Sequence, residues 1–175
     1  MKWTELLKSQ VEDVYHATEG LMALVKQKDL AWKPETGSNW MTMGQLLLHI
    51  TNACGFCMRG FVTGNWGMPE GVKYEECPQD EMLPPAEKMP AVKQVAKAKE
   101  LLAGDKALAL AMIDQAGERA LATKKVAAPW NPGVKYELGL HLLHMVSHLS
   151  QHKGQLFYYL KLMGRPVHTG HLWGM

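Results

Sequence analysis

Four long segments of this sequence repeat apolar residues at spacings of three and four, and no segment alternates apolar with polar residues convincingly. That periodicity points to an all-α fold, because a stripe recurring every ~3.6 residues buries one side of a helix and neither face of a strand. The first segment, about 3–30, aligns Leu7, Val11, Val14, Thr18, Leu21, Met22 and Val25 and stops in "AWKPETGSNW", where Pro34 and Gly37 mark a loop. In the second, Thr42 and Gln45 have capping-box spacing: the hydroxyl accepts from an early amide while the Gln side chain reaches back. This helix is expected to run unbroken to about Val62 and to end near Gly64.

A third helical region is expected from about Pro90 to Lys125, with Gly104 and Gly117 weakening it. "APWNPG" breaks the chain, and a fourth helix follows from about Val134 to Met163, with Gly164 and Pro166 as its stop signal. Between the second and third helices lies "GNWGMPEGVKYEECPQDEMLPPAEKMP", rich in Gly and Pro, which reads as an ordered crossover or lid. The expected architecture is a four-helix bundle with a long crossover between helices 2 and 3, one domain over residues 1–175.

Charge narrows the function classes. The net charge is +2, with no basic stripe, which argues against nucleic-acid binding. No stretch approaches the ~20 apolar residues of a membrane-spanning helix. The opening "MKWTELLKSQVEDV" carries acids and lysines where a secretory signal needs an apolar run, so a cytoplasmic protein is expected. Three cysteines, Cys54, Cys57 and Cys77, are too few and odd in number for a disulfide scaffold.

The chemistry concentrates in "HLLHMVSHLSQHKGQL", where His141, His144, His148 and His152 fall within one helix. At about 100° per residue, His144, His148 and His152 lie at about −60°, −20° and +20° from His141. They form a strip at the margin of the apolar face made by Leu138, Leu142, Met145, Leu149, Leu156 and Leu160. His148 and His152, at i and i+4, have the helical chelate spacing by which two imidazoles hold a transition metal. A third ligand has to come from another helix, and His49, at the edge of its own apolar face in "GQLLLHIT", is the best candidate. His144 reads as a rim or supporting residue, and His141, His16, His168 and His171 as non-ligands.

"LAWKPETGSNWMTMGQLLLHI" together with "HMVSHLSQHKGQLFYYLKLMG" resembles the DinB/YfiT-like family of metal-binding four-helix bundles. The most specific part is H-x-x-x-H-[KR]-G-Q, met by His148, His152, Lys153, Gly154 and Gln155. The resemblance implies that His49, His148 and His152 bind a divalent metal, zinc or nickel, and it suggests a homodimer. Family members often carry a further histidine just before the last ligand, where this chain has Gln151. Characterised relatives include thiol-dependent transferases and an isomerase, which implies a small-molecule substrate and a low-molecular-weight thiol as cosubstrate.

"CGFC", Cys54 to Cys57, competes as a redox motif. On an unbroken second helix both cysteines lie more than two turns inside it, away from the N-terminus that would activate a thiol, and read as buried core residues. Three functions therefore stand side by side: a metal-dependent thiol S-transferase or hydrolase, a non-catalytic metal-binding or stress-response module, and a Cys54/Cys57 redox protein. Tyr159, two turns beyond His152, is a weak candidate for orienting substrate, with packing the commoner duty of such a residue.

Overall fold

A computed structural model describes residues 1–68, 77–78 and 84–175. Helix α1 spans Trp3–Ala23, and α2 Met43–Ile50 is followed by α3 Gly55–Thr63. The longest, α4, covers Val95–Thr123; strands β1 Lys125–Ala128 and β2 Asn131–Glu137 lead into α5 Leu138–Leu162, and α6 Thr169–Trp173 ends the chain. Four rods, α1, the α2–α3 pair, α4 and α5, enclose a core in which Leu7, Tyr15, Leu46, Ile50, Leu102, Ile113, Leu149 and Leu160 are wholly buried. The expected all-α bundle is the fold observed.

Helix starts are set by side chains that satisfy the amides a helix leaves open. At α2, Gln45 N donates to Thr42 Oγ1 (3.2 Å) and Thr42 N to Gln45 Oε1 (2.7 Å), the capping box its spacing predicts. The start of α1 borrows a distant group: the amides of Trp3 and Thr4 donate to the two carboxylate oxygens of Glu118 at 2.9 and 3.0 Å. Glu118 reaches them because Gly117, at φ 67° and ψ 162°, interrupts the helical path of α4 and redirects the chain.

Three expectations are corrected. The second helix is not continuous: residues 51–54 form turns, and a new helix starts at Gly55. Its open amides are taken by Asp105 of α4, whose Oδ2 accepts from Gly55 N (3.0 Å) and Oδ1 from Phe56 N (2.7 Å). Tyr15 of α1 donates its hydroxyl to the same carboxylate at 2.6 Å. The backbones approach so closely that a Cβ on residue 55 would stand 2.0 Å from the Asp105 carbonyl oxygen, so only glycine fits. Burial pushes the Asp105 carboxyl above its ordinary range, and the bonds from Tyr15, Gly55 and Phe56 oppose that rise.

Second, β1 and β2 form an antiparallel hairpin where no strand was expected. The register pairs Val126 with Tyr136 and Ala127 with Lys135, then slips before Ala128 pairs with Asn131. β2 is almost wholly exposed, so it lacks the alternation by which a half-buried strand is recognised. Third, helix limits tighten: α5 starts at Leu138 rather than Val134, α4 starts at Val95 rather than Pro90, and α1 stops at Ala23 before a 3-10 turn at Gln27–Asp29. Among the described residues, no helix is long and apolar enough to cross a membrane.

Asp105→Ala removes the acceptor for two amides and for Tyr15. Unfolding should become easier by ~2–4 kcal/mol, the range for stripping a buried hydrogen-bonded carboxylate of its role. Chemical denaturation compared with wild type measures it, and Gly55→Ala should cost a similar amount through the steric clash alone.

A candidate tri-histidine metal centre

His49 comes from the last turn of α2, and His148 and His152 from successive turns of α5. Their Nε2 atoms converge: His152 Nε2 stands 2.9 Å from His49 Nε2 and 2.9 Å from His148 Nε2. All three side chains can offer ligand atoms within 4.8 Å of one another. A tetrahedral ion with bonds of ~2.05 Å spaces its ligand nitrogens by ~3.3 Å, a few tenths of an ångström more than the two contacts at His152.

The protons decide what the centre can hold. His148 Nδ1 lies 3.1 Å from the Ala53 carbonyl oxygen, which only accepts, so Nδ1 carries the hydrogen and Nε2 the lone pair. His152 Nδ1 lies 2.6 Å from Gln155 Oε1, which sets the same tautomer. Two lone pairs therefore face each other at 2.9 Å between His148 and His152. A proton on His49 Nε2 can bridge one neighbour but leaves that contact between two acceptors. A cation at the centre removes the conflict, so these residues fit a divalent metal ion.

Burial also keeps the imidazoles in the neutral form that ligates. Burial, aided by the proximity of His152 and His148, pushes His49 down from 6.5 to about 4. Burial likewise lowers His148 against the upward pull of its bond to Ala53, and lowers His152 against that of Gln155.

A family model described as the DinB superfamily matches residues 10–156. The chain belongs to the DinB superfamily. No curated protein and no solved structure matches it.

In this DinB-superfamily chain the break between α2 and α3 also builds the second half of the site. The turn leaves the Ala53 carbonyl outside the helical ladder, free to orient His148. It also swings Cys57 and Phe56 onto a cavity of about 480 Å³ that opens beside all three histidines. Met41 and Met145 line it too, Trp130 of the hairpin turn forms another wall, and the end of the crossover adds Pro84, Ala86 and Met89. The crossover is held there by Gln45 Nε2, which donates to Met89 O at 2.6 Å. Of the crossover or lid expected between the second and third helices, residues 69–76 and 79–83 lie outside the described residues; Trp66 packs on Phe61 and Trp130, with ring centroids 5.0 and 5.7 Å apart.

The cysteines need a correction. Cys54 is the N-cap of α3, not a residue deep in a helix, and Cys57 is half-buried at the cavity wall. The helix N-terminus does not activate them, because burial, with Asp105 nearby, pushes both thiols up, Cys57 to about 12. Both are free of disulfides.

The other candidates lie elsewhere. Tyr159 is buried, and its hydroxyl donates to Met41 O at 3.0 Å. His141 is buried, stacked on Phe61 at 4.3 Å, and its Nε2 donates to Val126 O, pinning the hairpin to α5. His144 is exposed beside Tyr136. Sequence reasoning missed Asp105, Ala53 and Trp130; Gly55 inside an apolar run was the one available sign of the first two.

Purified protein should lose nearly all bound metal on His152→Ala, read by elemental analysis, and Gln155→Ala should weaken metal affinity about 10–100-fold as an outer-shell change. In metal-free protein, the unfolded chain takes up a proton at its ordinary His49 value near 6.5 while the folded one waits until about 4. The stability of metal-free protein should therefore be full above that ordinary value and fall as pH drops through this window, read by thermal unfolding at successive pH values.

Proposed function

We propose that this protein is a metal-dependent enzyme that sets a small thiol, or water, against an electrophile held in the cavity beside His49, His148 and His152. The observation that carries the reading is the juxtaposition of three neutral imidazoles, their Nε2 atoms inward, with a substrate-sized cavity. A divalent ion held there by three protein ligands would keep a coordination position open and supply Lewis acidity, lowering the pKa of a thiol or water that shares the site. Imidazole donors suit zinc and nickel alike.

The chain's own groups do the positioning. Ala53 O and Gln155 Oε1 hold the Nδ1 protons of His148 and His152, which keeps both rings oriented and raises their basicity as ligands. Met41, Met145 and Trp130 give the space beside them an apolar wall. In thiol transfer, the sulfur of R–SH forms a bond to the carbon of R′–X, the C–X bond breaks with its electron pair, and the thiol proton leaves with X as HX. Hydrolysis replaces R–SH with water. The raised thiol of Cys57 supports a nucleophile brought from solution over one drawn from the protein.

The test supplies zinc-loaded or nickel-loaded protein with several low-molecular-weight thiols and a panel of electrophiles. Product should require both metal and thiol and should fall below detection in His148→Ala. Turnover that needs metal but ignores thiol would make the protein a hydrolase. Metal binding with no turnover at all would leave a binding module.

A further inference from the structure

The wall of the cavity says what kind of molecule it accepts. Its non-histidine lining combines the thioethers of Met41, Met89 and Met145 with the rings of Phe56 and Trp130. Asn52 and Cys57 are the polar additions, and no Lys, Arg, Asp or Glu side chain lines it among the described residues. The nearby guanidinium of Arg59 lies over the Phe56 ring, 4.8 Å from its centroid. The Cys57 thiol points its hydrogen at the Asn52 carbonyl, 3.5 Å away.

We infer that the cavity takes a neutral aromatic substrate, a flat apolar body whose single polar group reaches the histidine end. Thioethers are polarisable and make favourable contacts with ring edges, and their flexible chains adapt to rings of different outline. A charged body would shed its hydration against Met and aromatic walls, where no charged side chain among the described lining residues replaces it. Size agrees: a cavity of ~150 Å³ accommodates benzene, and this one is about 480 Å³. A bicyclic ring fits, with room left for a small cosubstrate. The inference rests on the proposed reading of this cavity as the substrate site, but the binding preference does not need turnover or metal.

The experiment is calorimetric titration of the full chain, metal-free and zinc-loaded, with 2-naphthol and with naphthalene-2-sulfonate at neutral pH. The neutral ligand should bind at least about tenfold more tightly in both forms. Met89→Lys, which places a cation on the crossover wall, should weaken 2-naphthol about tenfold and reduce the preference. Phe56→Ala should weaken both ligands. Circular dichroism establishes that each variant is folded, and either variant alone carries the test if the other is not. Equal or tighter binding of the sulfonate in metal-free protein, absence of 2-naphthol binding, or indifference of a folded variant overturns the inference. Neutral-ligand binding without any thiol-dependent or water-dependent turnover would instead sink the proposed catalysis and leave the binding preference standing.

Discussion

The buried carboxylate of Asp105 decides how the second rod of the bundle is built. Ending a helix in the protein interior and starting another four residues later exposes open carbonyls and amides, and each unpaired one costs ~1–3 kcal/mol. Asp105 answers the amides of Gly55 and Phe56, Tyr15 answers Asp105, and Gly55 permits the approach. The carbonyl of Ala53 then has no helical partner and turns to His148. A cap on one helix thus determines which nitrogen of a histidine on another carries its proton. The desolvation that raises the Asp105 carboxyl is opposed, in part, by its hydrogen bonds from Tyr15, Gly55 and Phe56, so the device is stable only as a complete set.

The triad shows the opposite economy. Burial discourages protonation of His49, His148 and His152, and their outer hydrogen bonds commit two of the three lone pairs inward. Without a cation, the arrangement leaves acceptors opposed, a local conflict of the sort folds retain where a ligand resolves it. Among the described lining residues the cavity alongside is mostly apolar, and its three imidazoles stand together at one end.

Much of this was legible in the sequence, and each failure has its own physical cause. Helical periodicity gave the four rods, and Thr42 with Gln45 marked the start of α2. Rotation by about 100° per residue placed His148 and His152 on one strip with His49 facing them from a second helix. The break between α2 and α3 misplaced the cysteines along the helix: Cys54 is buried as expected but caps α3, and Cys57 stands half-buried at the cavity wall. Gly55 was the one local sign of that break: the rest of "NACGFC" continues an apolar run, and the group that stabilises the break lies fifty residues away, at Asp105. The hairpin escaped for a different reason. β2 is held by its backbone pairing to β1 and by the tie between His141 and Val126, so its side chains carry no pattern of burial to read.

Helix α1 depends on groups far along the chain. Its first amides are capped by Glu118, and its buried Tyr15 is paired with Asp105. During synthesis at ~5–20 residues per second, roughly 100 further residues must emerge before either partner exists, an interval of about 5–20 seconds. Through that interval the apolar stripe of Leu7, Val11 and Leu21 has neither its cap nor its α4 neighbour. The ribosome therefore releases a first helix that can only be completed in retrospect.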